Sequence, residues 1–210
     1  MKDEKNLQLE RMVFFCDAVV AIAITLLALD IKINPTASGH LAFSDILAEW
    51  KTYAAFILSF LNIASFWKTH HSFFSHIKKT DEKMLWYNIG WLFFIVTLPF
   101  ATSLVSSYFF GTPAIFIYSL NILMIACFQN MIWDYAAMNK GFISPEFIDE
   151  PTISRIRVYC NLDMINGVLA LGLSFLSPLL AFLFLFTKLP MIILAKFYYR
   201  YQAKKSSHET

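Results

Sequence analysis

Met12 to Leu29 read MVFFCDAVVAIAITLLAL, an apolar run with Arg11 before it, Asp30 after it and one carboxylate, Asp17, inside it. About 20 mostly apolar residues are enough for a helix to cross the hydrocarbon of a bilayer. An aspartate at that depth costs roughly 3 kcal/mol on insertion scales, so a chain keeps one only with a partner or a task. The rest of the chain repeats the signal. It is 58% hydrophobic and 15% charged, against roughly 25% charged in soluble domains. This is the composition of an integral membrane protein.

Six spans fit, over residues 12–33, 52–71, 85–109, 114–138, 156–175 and 179–201. Asn34-Pro35, Phe110-Gly111-Thr112-Pro113, Asn139-Lys140-Gly141 and Ser177-Pro178 punctuate them. The segments are continuously apolar and too long for alternating strands, so helices are expected rather than a barrel. MKDEKNLQLER mixes acids with bases, and the run after it is longer than a signal-peptide core, so the first span is expected to be retained. The expectation is a single six-helix domain over residues 1–210, without internal repeat or soluble domain, whose symmetry comes from assembling copies.

Basic residues give the orientation. With the N-terminus inside, the inner flanks hold Lys2, Lys5 and Arg11, then Lys68, Lys78, Lys79 and Lys83, then Lys140, Arg155 and Arg157, then Lys196, Arg200, Lys204 and Lys205. The outer side holds Lys32 and Lys51, and Lys188 falls within the last span. That bias places both termini in the cytoplasm. These cations lie in flanks and loops and form no stripe for nucleic acid. Trp50, Trp86, Tyr108 and Trp133 fall near span ends, where aromatic belts form. Cys16, Cys127 and Cys160 have no metal-type spacing and read as small buried hydrophobes.

Polar residues within spans are the functional candidates. In the first span, Arg11, Phe15, Ile22 and Leu29 share one helical stripe, with Thr25 and Leu26 beside it, while Asp17 lies off it. Arg11 and Asp17 are about 240° apart around the helix and cannot pair within it. Each needs a partner elsewhere, and His70, His71 and Asn88 lie at the same inner depth. Copies of the stripe around an axis would form a narrow hydrophobic pore that gates by dewetting, with a hydroxyl ring from Thr25. Periodicity alone favours the simpler reading, in which Ile22, Leu26 and Leu29 face lipid or other helices. His70, His71 and His76 lack the further ligands a metal centre needs, and structural hydrogen bonding is the expected role. Asp163 with Asn161 and Asn166 reads either as a proton-coupled transporter site or as polar glue between helices. No Ser-His-Asp order, phosphate loop or TVGYG filter run is present, and no enzyme activity is expected.

Arg11-x-x-x-Phe15-Cys16-Asp17, followed by Ala21-Ile22-Ala23-Ile24-Thr25-Leu26-Leu27, resembles the R-x-x-x-F-S-D first-helix signature of the transmembrane protein 175 type potassium channels. Phe66-Trp67 with His70-His71, then Asn88 and Leu98-Pro99-Phe100, are similar to that family's second- and third-helix patterns. Cys16 stands where the signature has serine, a stronger hydrogen-bond donor. The resemblance implies an all-α channel with six transmembrane helices, built as a homotetramer around a central pore and permeable to potassium without a carbonyl filter. It also implies a prokaryotic plasma-membrane location among lipids, monovalent cations as the permeating partners, and no cofactor or metal. Carried over by position, Ile22 and Leu29 would form the constrictions, with Thr25 or Leu26 between them. Arg11, Phe15, Cys16, Asp17, Trp67, His70, His71 and Asn88 would form the network holding the pore helix. A proton-coupled secondary transporter is the alternative.

Overall fold

The structure, a computed structural model, describes residues 2–33, 40–109, 111–138, 141–143, 148 and 150–206. The expected turns at Asn34-Pro35 and Asn139-Lys140 lie outside these residues. Eight helices follow in order among them: α1 Lys2–Leu29, α2 Phe43–Ala48, α3 Trp50–Phe74, α4 Glu82–Ser107, α5 Thr112–Met138, α6 Glu150–Leu176, α7 Pro178–Leu185 and α8 Lys188–Ser206. No strand occurs among the described residues; Ile77 and Ile143 form one isolated antiparallel bridge joining two loops. This is an all-α, multi-pass membrane protein.

Five stretches among the described residues are long and apolar enough to cross a membrane: Leu7–Leu29, Glu82–Ser107, Thr112–Met138, Glu150–Leu176 and Pro178–Tyr199. The expected second span, α3, is long enough at 25 residues, about 37 Å at 1.5 Å per residue. Its composition is the exception, because Asn62, Ser65, Lys68, Thr69, His70, His71 and Ser72 crowd its second half. The first span ends as a helix at Leu29 rather than Ile33. The last is two helices, not one. After Leu185 the backbone tightens, with Phe186 N–H bonding Leu183 O at 3.2 Å and Thr187 N–H bonding Phe184 O at 2.9 Å. Pro190 has no N–H for the carbonyl of Phe186, so a continuous α-helix cannot pass this point intact.

The core is a bundle in which α4 and α5, then α5 and α6, form the broadest interfaces. α1 packs on α3 and α4, α7 sits against α5 and α6, and α8 lies against α6. Trp91, Trp133, Tyr118, Phe66 and Phe73 are its largest fully buried side chains. Trp133, expected at a membrane interface, is instead enclosed against Phe73 at 5.0 Å between ring centroids. The α5 and α6 backbones approach closely at Gly167, where a Cβ would stand 2.9 Å from Leu123 Cα of α5. Such small residues let membrane helices approach. Gly141 has φ +90°, a conformation that L side chains rarely adopt, and makes the turn beside the Ile143 bridge.

Candidate functional site

α1 has two apolar faces with different fates. Met12, Cys16, Val20, Ala23 and Leu27, spaced by three and four residues, are buried against α3 and α4. On the opposite side Ile22 is 60% and Leu29 70% exposed, with Phe15, Thr25 and Leu26 exposed along the same side. The buried face is fixed by polar contacts as well as packing. Asp17 Oδ1 accepts a hydrogen bond from Trp67 Nε1 at 2.8 Å. One residue earlier, Cys16 Sγ accepts from Asn88 Nδ2 at 2.8 Å. Asn88 Oδ1 lies 2.8 Å from His70 Nε2, so the tautomer that satisfies this pair carries its proton on Nε2. The His70 ring then stacks on Trp91, with centroids 4.2 Å apart and planes 15° apart.

Three helices are tied together at one level: α1 through Cys16 and Asp17, α3 through Trp67 and His70, and α4 through Asn88 and Trp91. The partner of Asp17 is therefore the Trp67 indole, not a histidine. The contact is possible because the indole N–H is a donor and the carboxylate oxygen an acceptor. His70 belongs to Asn88. His71 lies outside the network, exposed with its ring 5.6 Å from Trp67. Arg11 also stays outside. Exposed, it lines a groove of about 590 Å³ with Asp81, Glu82 and Leu85, and makes no hydrogen bond or ion pair with the described residues. Among those residues, no group of three or more His, Cys, Asp or Glu side chains converges as a metal site would need.

The other polar residues resolve into separate pairs. Asn130 Nδ2 donates to Asn161 Oδ1 at 2.9 Å, and Arg157 Nε meets Asp134 Oδ1 at 2.8 Å, joining α5 to α6. Asn121 Nδ2 donates to Thr97 Oγ1 at 2.7 Å, joining α5 to α4. Asp163 is a different case. It faces Lys188 at the α7–α8 break, with Nζ 3.5 Å from Oδ1 and the side chains 2% and 1% exposed. Lys188 Nζ also stands over the Phe66 ring, 3.0 Å from its centroid. Asn166 Nδ2 lies 3.2 Å from Thr187 Oγ1 and 3.4 Å from Phe184 O, at the tightened turn between α7 and α8. Asn161, Asp163 and Asn166 thus serve three separate partners. The signal for the ion pair was visible in the sequence, as one acid and one base standing alone in two neighbouring spans. Nothing in spacing pointed to Trp91 beneath His70.

A family model described as the endosomal/lysosomal potassium channel TMEM175 matches residues 11–99. A potassium channel of Streptomyces collinus is 31% identical over 172 residues, covering 80% of this chain and 82% of the relative. A potassium channel of Chamaesiphon minutus is 32% identical over 173 residues, covering 80% and 84%. The crystal structure of a lysosomal potassium-selective channel TMEM175 homolog from Chamaesiphon minutus superposes with a TM-score of 0.75 at 29% identity, over 90% of this chain and 95% of that one.

Proposed function

The chain belongs to the TMEM175 family of potassium channels, and from that premise we propose that it is a potassium-permeable channel, a homotetramer whose central pore is lined by α1 of each subunit. In this reading α3 crosses the membrane with the five more apolar spans. Both termini lie in the cytoplasm of a prokaryotic cell, and no cofactor takes part.

The observation that carries the pore assignment is the uncovered face of α1. Ile22 and Leu29 are large, apolar and 60% and 70% exposed, while the other side of the same helix holds the core. Ala18 and Ala21 border that face and let neighbouring copies come close. Rings of Ile22 and Leu29 would be narrow and hydrophobic, passing ions only when wetted. Thr25 lies between them, and its hydroxyl donates to Ile22 O at 2.8 Å. With its proton turned back to the helix, the oxygen offers only lone pairs outward, which suits a cation and not an anion. Leu26 flanks it. The Cys16–Asn88–His70 chain and the Asp17–Trp67 bond would hold the rotation of α1 that presents these residues to the axis.

The purified protein in liposomes tests the reading. Potassium efflux above that of empty vesicles is expected, and its absence refutes the channel. A proton-coupled transporter has less support, because Asp163 is engaged by Lys188. The cavity beside that pair is about 10 Å³, room for about one water and not a substrate. Flux that saturates and follows a proton gradient would favour the transporter instead.

A further inference from the structure

α3 carries a second polar stripe that the α1 network does not use. Ser65, Lys68, Thr69 and Ser72, at spacings i, i+3, i+4 and i+7, share one side of the helix, and His76 follows in the turn after it. Buried Phe66, His70 and Phe73 occupy another. The stripe looks across a cavity of about 270 Å³ at Thr152, Arg155, Ile156 and Tyr159 of α6 and at Ile192 of α8. Among the described residues, no aspartate or glutamate lines it.

No acid among the described residues compensates its cations. Lys68 has no hydrogen bond or ion pair with the described residues. Arg155 bonds a neutral group, Thr152 Oγ1, at 2.7 Å, and no acid. Arg157, two residues along, is paired with Asp134 at 2.8 Å. The fold therefore neutralises one α6 arginine and leaves the other charge open toward the cavity. The Ser72 hydroxyl, with no hydrogen bond to the described residues, adds a neutral donor at the same wall. The remaining wall is apolar, from Phe73, Ile156 and Ile192.

We infer that this cavity binds the phosphate of an anionic phospholipid headgroup, with Lys68 and Arg155 as its charged contacts and the acyl chains passing over the apolar wall. Basic pockets between membrane helices at the cytoplasmic face hold such headgroups, each Lys or Arg near an anionic leaflet contributing a fewfold in affinity. The volume is below the roughly 300 Å³ at which pockets for drug-sized ligands begin. It suits a headgroup and excludes a whole nucleotide. The cytoplasmic side rests on the orientation in the channel reading, but lipid retention is read without any ion flux, so the two fail separately.

Native mass spectrometry of the purified full chain, in micelles containing phosphatidylcholine and phosphatidylglycerol in equal amounts, tests the inference. The wild type retains phosphatidylglycerol in preference. Lys68→Glu and Arg155→Ala reduce that preference by about fivefold per cation removed, and Lys83→Ala, outside the cavity, leaves it unchanged. Lys68 is exposed, so Lys68→Glu keeps the test valid if Arg155→Ala fails to fold. Equal retention by wild type and Lys68→Glu overturns the site. Inorganic phosphate alone displacing bound phosphatidylglycerol from the wild type, in the absence of competing lipid, overturns the lipid as its occupant.

Discussion

Breaking the Asp163–Lys188 pair should cost far more than removing it. The charges lie 3.5 Å apart with side chains 1% and 2% exposed. At an effective dielectric constant of about 20, that separation corresponds to an attraction of about 5 kcal/mol. Lys188 gains further from the Phe66 ring, about 2 kcal/mol where the cation is desolvated. Lys188→Met strands a buried carboxylate and Asp163→Leu strands a buried ammonium, each expected to destabilise by about 3 to 5 kcal/mol. The double variant strands nothing, and methionine keeps a favourable sulfur contact with Phe66. It should return to within about 1 to 2 kcal/mol of wild type, a strong positive coupling. Thermal midpoints of the purified assembly in detergent, followed by size exclusion for the four proteins of the cycle, measure this. If the double variant falls by the sum of the two single losses, the pair is not coupled and the reasoning fails.

The pore assignment predicts that Ile22→Ala or Leu29→Ala widens a constriction and changes conductance or ion preference in single-channel recordings; unchanged currents would place both residues off the axis. Trp67→Phe removes the donor to Asp17 Oδ1 and should lower stability by about 1.5 kcal/mol, the low end for a bond to a charged group because the carboxylate is half-exposed. A wild-type midpoint would contradict the anchoring role. Cys16→Ser gives Asn88 Nδ2 a stronger acceptor, and because a C–O bond is shorter than C–S the present 2.8 Å contact lengthens into the ordinary N–H···O range, so potassium flux should persist and stability rise by up to about 1 kcal/mol. A marked fall in midpoint would refute that geometry. Gly167→Ala should cost about 1 to 3 kcal/mol by forcing α5 and α6 apart, whereas Gly172→Ala, with nothing within 4 Å of its added carbon, should gain up to about 1 kcal/mol from helix propensity. Equal midpoints for these two variants would remove the close-packing argument.

Hydropathy is a sum over length, so the sequence by itself determined that the chain is a helical membrane protein and roughly where its five most apolar stretches lie. It also determined that Asp17 and Asp163 need partners, because the cost of a membrane carboxylate does not depend on the fold. Even the stripe of Ile22 and Leu29 followed from a period of 3.6. Partner choice did not follow, since it depends on how each helix is rotated about its axis. Trp67 rather than a histidine meets Asp17, and Asn88 bridges Cys16 to His70. Trp133 is core because Phe73 covers it, although its position along the chain suits an interface. The face of α1 was undecided for the same reason. Both sides are apolar, so no amphipathic contrast distinguishes them, and only the packing of Cys16, Val20, Ala23 and Leu27 against α3 and α4 leaves Ile22, Thr25 and Leu29 uncovered.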